Sequence, residues 1–243
     1  MHIGILQTGH VHDSLVGQYG NYPEMFMRLL DGHGFTFTTW RVVDMEFPAS
    51  VHDADGWLIT GSKHGAYEDQ PFIAPLEDFI RDCYARRVPQ VGICFGHQIM
   101  AQALGGRVGK FGKGWAAGAK SYDFGGETLT MNAWHQDQVL EPPEGAETVA
   151  RNEFCEFAAL AYSDHAFSVQ AHPEIRDDYM AGLIEVRGPG NVAEAELALA
   201  TRSLGTPLDD RVVANRIAEF FKRPRSGPEK PAAAAQANEK SHG

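Results

Sequence analysis

The sequence predicts an α/β fold: an open, mostly parallel sheet with helices on both faces and antiparallel additions at its edge. Two patterns in the first half predict it. Short apolar runs of strand length alternate with segments whose apolar residues recur every three or four positions, and glycine-containing breakers separate them. Strands alternating with helices of this length imply right-handed βαβ units, whose parallel strands must be covered on both faces. Composition agrees with a packed domain, since 43% of the 243 residues are hydrophobic and 22% charged.

Residues 3–6 read as the first strand, ending at Gln7-Thr8-Gly9. Met25, Phe26, Leu29 and Leu30 mark a helix that stops before Gly32-His33-Gly34. Residues 35–40, aromatic and β-branched, form a second strand, and residues 57–60 a third that Gly61 closes. Phe72, Ile73, Leu76, Phe79, Ile80 and Cys83 share one helix face. Residues 88–93 are a short buried strand, followed by a helix over 95–104 that ends at Gly105-Gly106. Residues 107–135 are glycine-rich with short β segments at 121–124 and 128–131, which predicts antiparallel additions at the sheet edge. A strand pair over 154–162 and 166–170 is joined at Ser163-Asp164, and helical patterns return at 177–187, 192–203 and 209–222. One domain over 1–223 is expected, with a disordered, low-complexity tail over 224–243 that has almost no large apolar side chain.

Charge narrows the function. Lys and Arg number 21 against 32 Asp and Glu, a formal charge of -11. The last 22 residues hold five basic side chains and two acidic ones, so the body carries -14. Such a surface repels phosphate backbones and anionic lipid, so neither nucleic acid nor membrane is an expected partner. No apolar run approaches the roughly 20 residues that span a bilayer, and no signal peptide opens the chain. Cys83, Cys94 and Cys155 are too scattered for a disulfide framework or a zinc site, which predicts a cytoplasmic protein without bound metal.

The chemistry concentrates in Val91-Gly-Ile-Cys-Phe-Gly-His-Gln-Ile-Met100. Gly92-x-Cys94-x-Gly96 between a strand and a helix is the nucleophile-elbow pattern with cysteine for serine. The turn must be sharp, and a Cβ at either glycine would crowd the strand and helix. It lifts the thiol to the N-terminus of the following helix, where unsatisfied N–H groups favour thiolate. The backbone N–H of Phe95 is then placed to donate to an oxyanion. His172 in Val169-Gln-Ala-His-Pro-Glu174 is the candidate base, because it follows an apolar strand at the sheet end where open α/β folds build their sites. Pro173 keeps the chain extended, so Glu174 can hold one imidazole nitrogen while the other meets the thiol.

Residues 92–106 and Ala171-His172-Pro173-Glu174 closely resemble class I, triad-type, glutamine amidotransferases, above all the glutaminase domain of GMP synthetase and its stand-alone relatives. The resemblance runs from Ile3 to about Phe220 and implies the flavodoxin-like fold of that family. It implies Cys94 as the nucleophile that forms a γ-glutamyl thioester, His172 as general base and acid, and Glu174 as its orienter. It also implies that Gln98 contacts the α-amino and carboxylate end of glutamine, and that His135 lines the pocket within Trp134-His135-Gln136-Asp137. The second oxyanion donor would come from Gly61 or Ser62. Here Gly61-Ser62-Lys63 replaces the family's Gly-Gly-Pro, a change a backbone donor tolerates.

No cofactor is expected. The leading function is a glutaminase subunit that hydrolyses L-glutamine and passes ammonia to a separate synthase polypeptide, since the sequence holds no P-loop or second domain. The alternative is a stand-alone hydrolase or peptidase acting on γ-glutamyl amides or peptides, which would use the same residues. Cys83 and Cys155 read as core, His97 as packing, and His10-x-His12 as lacking a third metal ligand.

Overall fold

A computed structural model describes residues 1–224; from residue 225 on, the expected tail lies outside the described residues. The first half runs β1 (His2–Leu6), α1 (Asp13–Tyr19), α2 (Tyr22–Leu29), β2 (Thr36–Trp40), β3 (Gly56–Ile59), α3 (Ile73–Ala85), β4 (Gln90–Ile93) and α4 (Phe95–Ala103). Seven strands follow: β5 (Arg107–Lys110), β6 (Ala116–Asp123), β7 (Thr128–His135), β8 (Asp137–Glu141), β9 (Glu147–Ala150), β10 (Ala159–Tyr162) and β11 (Ala166–Val169). Three helices close the domain: α5 (Asp177–Arg187), α6 (Glu194–Ser203) and α7 (Asp210–Lys222).

The main sheet has the order β2-β1-β3-β4-β11-β10-β9. The first five strands in that order are mutually parallel, while β10 pairs antiparallel with both β11 and β9. Alternation of side chains splits the core between the two faces. Ile3, Ile5, Leu58, Val91 and Ile93 pack with Phe26, Ile217 and Phe221 of α2 and α7. Leu6, Trp57 and Ile59 pack on the other face with Leu76 and Ile80 of α3 and Ile99 and Met100 of α4. Each such aliphatic side chain, fully buried, contributes about 1.5–3 kcal/mol. The α2 start is pinned by a capping box between Asn21 and Glu24, whose carboxylate accepts the Asn21 N–H at 2.7 Å.

Three local features depart from the pattern-based expectation. Helix α1 carries one buried apolar residue, Leu15, so it shows no periodicity; the His12 side chain caps it. The glycine-rich β segments do not extend the main sheet, whose edge is supplied by β10 and β9. They form separate two-stranded pairs, β5 with β8 and β6 with β7. The outer backbone donors of β6 are satisfied by α6 side chains, Ala117 N–H by Glu196 (3.3 Å) and Ala119 N–H by Ser203 (2.9 Å). Residues 154–158 are not strand, because the Asn152 side chain folds them into a turn by accepting from the Phe154 and Cys155 N–H groups. Among the described residues, no helix is long and apolar enough to cross a membrane.

The elbow glycines are a packing requirement that can be tested directly. A Cβ on Gly92 would lie 2.4 Å from the Gly96 carbonyl oxygen, and one on Gly96 would lie 2.3 Å from the Ile59 carbonyl oxygen. Both obstacles are backbone and cannot rotate away. Gly92→Ala and Gly96→Ala should each destabilise the domain by about 1–3 kcal/mol, read as a lower urea midpoint, whereas Gly17→Ala, which has no neighbour in reach, should not.

Candidate active site

Strand β4 ends one residue before Cys94, which has φ 54° and ψ −103° and directly precedes α4. A positive φ at a residue with a Cβ costs on the order of 1–3 kcal/mol and persists only where neighbours enforce it. Here β11 enforces it: the Cys94 N–H donates to the Val169 carbonyl at 2.8 Å, and the Cys94 carbonyl accepts from Gln98 N–H at 3.0 Å. The thiol thus stands at the head of α4 as the elbow pattern requires.

Because β11 runs parallel to β4 with Val169 opposite Ile93, the chain beyond Val169 emerges beside the elbow. His172 is fixed there by its own N–H, which donates to the Asn132 carbonyl of β7 at 2.9 Å. Its Nδ1 donates to Glu174 Oε1 at 2.7 Å, and the charge of Cys94 bears on the ring. His172 and Glu174 are buried, at 5% and 6% exposure. Burial opposes charge on His172, but the charges of Cys94 and Glu174 and the hydrogen bond to Glu174 overcome it, raising its pKa well above the ordinary imidazole value. The arrangement therefore favours the imidazolium form of His172. Gly61 closes the other side: a Cβ there would sit 3.1 Å from His172 Cε1 and 3.9 Å from Cys94 Cβ.

Two sets of backbone donors flank the thiol. Among the described residues, the N–H groups of Phe95, Gly61 and Ser62 donate to no protein acceptor. The serine that replaces the expected second glycine has a role of its own. Ser62 Oγ donates to the Thr8 carbonyl at 2.7 Å and accepts the His64 N–H at 3.2 Å. Thr8 Oγ1 in turn donates to the Gly61 carbonyl at 3.0 Å. The ends of β1 and β3 are thereby laced together without the proline.

A cleft of about 220 Å³ opens over this centre, with Ser62, Cys94, Gln98, His135 and Asp137 among its walls. Gln98 reaches it with half its amide committed: Nε2 donates to the Asp137 carbonyl at 2.8 Å and to Gln170 Oε1 at 3.2 Å. That leaves the carbonyl oxygen of Gln98 for an incoming donor such as an ammonium group. Gln170 Nε2 lies 3.6 Å from Cys94 Sγ, so a Gln98–Gln170–Cys94 chain runs under the cleft. His135 is kept neutral; burial and the charge of His172 push its pKa down to about 3. Its Nδ1 pairs with the Asp137 carbonyl at 3.2 Å and its buried Nε2 has no protein partner among the described residues. The Asp137 carboxylate accepts from the Tyr67 hydroxyl at 3.2 Å.

Gln170, Thr8, Asn132 and Tyr67 were not singled out from sequence. Only Gln170 carried a usable signal, since alternation along an extended segment puts residues 170 and 172 on one side. The remaining candidates keep structural roles. His97 is buried against Ser168 Oγ (2.8 Å), with its pKa lowered to about 3 by burial. His10 pairs with Asp44 and His12 caps α1. No cluster of three metal-ligating side chains occurs among the described residues. A larger cavity, about 370 Å³, lies across Glu174 among Arg28, Arg176 and Tyr179, but Cys94 is not in its wall.

Residues 19–181 match the family described as glutamine amidotransferase class-I. The sequence is 34% identical to gamma-glutamyl peptidase 4 of Arabidopsis thaliana over 75% of this chain and 80% of that protein. It is 29% identical to the glutamine-hydrolyzing GMP synthase of Vibrio vulnificus over 69% of this chain but 34% of the synthase. A glutamine amido transferase from Methylobacillus flagellatus has the same fold, with a TM-score of 0.67 at 22% identity over 91% of each chain.

The three cysteines should differ sharply in reactivity. Burial raises the Cys83 thiol far above its usual range and Cys155 to about 12. At neutral pH a glutamine-like diazo-ketone should modify Cys94 and leave the other two free, as read by peptide mass mapping. His172→Asn should slow that modification at least tenfold; equal labelling of all three would remove Cys94 as the candidate nucleophile.

Proposed function

The chain belongs to the glutamine amidotransferase class-I family, and on that premise we propose that it is a cysteine hydrolase of γ-glutamyl amide bonds that is competent without a synthase. The observation that carries the reading is the arrangement within one chain: Glu174 holding His172 at 2.7 Å, His172 and Cys94 both packed against Gly61, and backbone donors without a protein acceptor on either side. Cys94 Sγ attacks the γ-carbonyl carbon, and the developing oxyanion is held by the N–H groups of Phe95 and of Ser62 or Gly61. His172 gives its proton to the departing nitrogen, the C–N bond breaks, and a γ-glutamyl thioester remains. Water then loses a proton to His172 and attacks the thioester, releasing glutamate and restoring the thiol. Glu174 steadies the imidazolium without transferring a proton itself.

The leaving-group side favours the hydrolase over the glutaminase subunit. Release of ammonia needs almost no space, yet the cleft of about 220 Å³ is walled by Trp115 and Trp134, whose rings lie 5.8 Å apart. Relatives described as γ-glutamyl peptidases match this chain over most of their own length, which supports the same reading. The Gln98 oxygen and the Tyr67–Asp137 pair would receive the α-amino group of the γ-glutamyl unit.

Kinetics on the isolated protein separate the two readings. It should cleave γ-glutamyl dipeptides with kcat/KM at least equal to that for glutamine. Cys94→Ala should abolish turnover, His172→Ala should lower kcat about 10²–10⁴-fold, and Glu174→Gln should cost less than either. Inert dipeptides, with glutamine hydrolysis that is slow alone and rises on adding a synthase, would make the protein an amidotransferase subunit instead.

A further inference from the structure

Gln98 and Gln170 are buried, at 3% and 0% exposure, and a buried primary amide is costly unless its donors find acceptors. Their hydrogen bonds run in one direction, and a backbone group sets it. The Asp137 carbonyl can only accept, so the Gln98 amide must turn its nitrogen toward it, at 2.8 Å. The same nitrogen meets Gln170 at 3.2 Å, so Gln170 must present its oxygen there. The nitrogen of Gln170 then faces Cys94 Sγ, at 3.6 Å. Turning Gln98 over would set two acceptors against each other, and turning Gln170 over would oppose two donors.

The strength of the last bond depends on the state of the sulfur. A thiol sulfur is a weak acceptor, whereas a thiolate is an anion, and hydrogen bonds to charged groups are roughly twice as strong as neutral ones. The Gln170 donor is therefore best satisfied when Sγ is charged. In the proposed reaction that charge is present before attack and returns during hydrolysis of the thioester. Water adds to the thioester carbonyl and its proton passes to His172. The oxyanion then collapses, the C–S bond breaks, and its electron pair goes back to Sγ. The backbone donors serve the carbonyl oxygen, and His172 serves the departing nitrogen and the water, which leaves the returning charge to Gln170. The residue is well fixed for this, since it lies one position past β11 and its own N–H donates to the Ala158 carbonyl at 2.8 Å.

We infer that Gln170 is a further catalytic residue, whose side-chain N–H stabilises the Cys94 sulfur as it leaves the γ-glutamyl thioester, with Gln98 as the positioning residue that fixes the direction of that donor. This rests on Cys94 being the nucleophile of the proposed hydrolysis. Gln98 then has two connected tasks. An ammonium group on its remaining oxygen polarises the amide and strengthens the chain of donors that ends at Sγ.

The test follows turnover of glutamine and γ-glutamylglycine by the full chain, and the lifetime of the γ-glutamyl adduct on Cys94 by mass spectrometry of acid-quenched protein. Gln170→Met removes the donor at similar side-chain length. Gln170→Glu keeps an acceptor for Gln98 but turns a second acceptor toward Sγ. Each should lower kcat about fivefold or more and lower KM with it, because slower departure of sulfur lets the adduct accumulate. A merely structural role would lower kcat without prolonging the adduct. Gln98→Met should also prolong it, and combined with Gln170→Met the loss in kcat should be smaller than the product of the two single losses. Should melting curves show both Gln170 variants unfolded, the adduct lifetime in Gln98→Met decides. An adduct no longer-lived than in the wild type, or losses in kcat that simply multiply, overturns this inference and leaves the hydrolase reading standing. Turnover that survives Cys94→Ala, or a wild-type protein that cleaves no γ-glutamyl amide, overturns both.

Discussion

One backbone pairing governs the site: β11 lies parallel to β4, and the Cys94 N–H donates to the Val169 carbonyl at 2.8 Å. The elbow and the His-Pro-Glu segment are distant in sequence, and each is inert alone. Because strands in a sheet are about 4.8 Å apart, this pairing sets the thiol and the imidazole within reach of each other as soon as the register is fixed. The same hydrogen bond helps hold Cys94 at its positive φ. The stability of the sheet is thus the source of the strain that presents the thiol.

Three of the four buried histidines show how locally charge is decided. His97, His135 and His172 are all shielded from water, and desolvation by itself disfavours imidazolium at each. His97 and His135 follow that rule, with pKa values near 3. His172 departs from it because it alone stands between a carboxylate and a thiol, whose charges outweigh the burial penalty. The neutral His135 is a consequence as well as a bystander, since the charge of His172 helps keep it unprotonated. Of these three, His172 alone is pushed toward its charged form, at the position where the proposed reaction needs a proton to give and take back.

The family pattern is kept in geometry where it is lost in letters. Ser62 and Lys63 stand where a glycine and a proline would be expected, yet the strand ends are tied by Ser62 Oγ to the Thr8 carbonyl and by Thr8 Oγ1 to the Gly61 carbonyl. Gly61 itself cannot be exchanged so freely, because the His172 ring packs against it. The side chains around Gly61 and Ser62 brace this turn, and the two N–H groups donate to no protein acceptor among the described residues.

What the sequence determined by itself was whatever depends on neighbours along the chain. Alternating periodicities set the α/β class and placed α3, α4, α5 and α7 within about a residue or two, since burying an apolar stripe is a local demand on spacing. The elbow at Cys94 and the extended His172-Pro173-Glu174 segment were legible for the same reason, their glycines and proline being local backbone requirements. Tertiary structure decided the rest. Helix α1 has too small an apolar face to announce itself, β5 pairs with β8 apart from the main sheet, and β6 pairs with β7 while α6 supplies partners for the outer donors of β6. Gln170 beneath the thiol, Thr8 against Ser62 and Arg187 in the cleft wall are contacts between residues far apart in sequence. No periodicity encodes them, because each exists only once the parallel sheet has closed and brought separate chain ends to one edge.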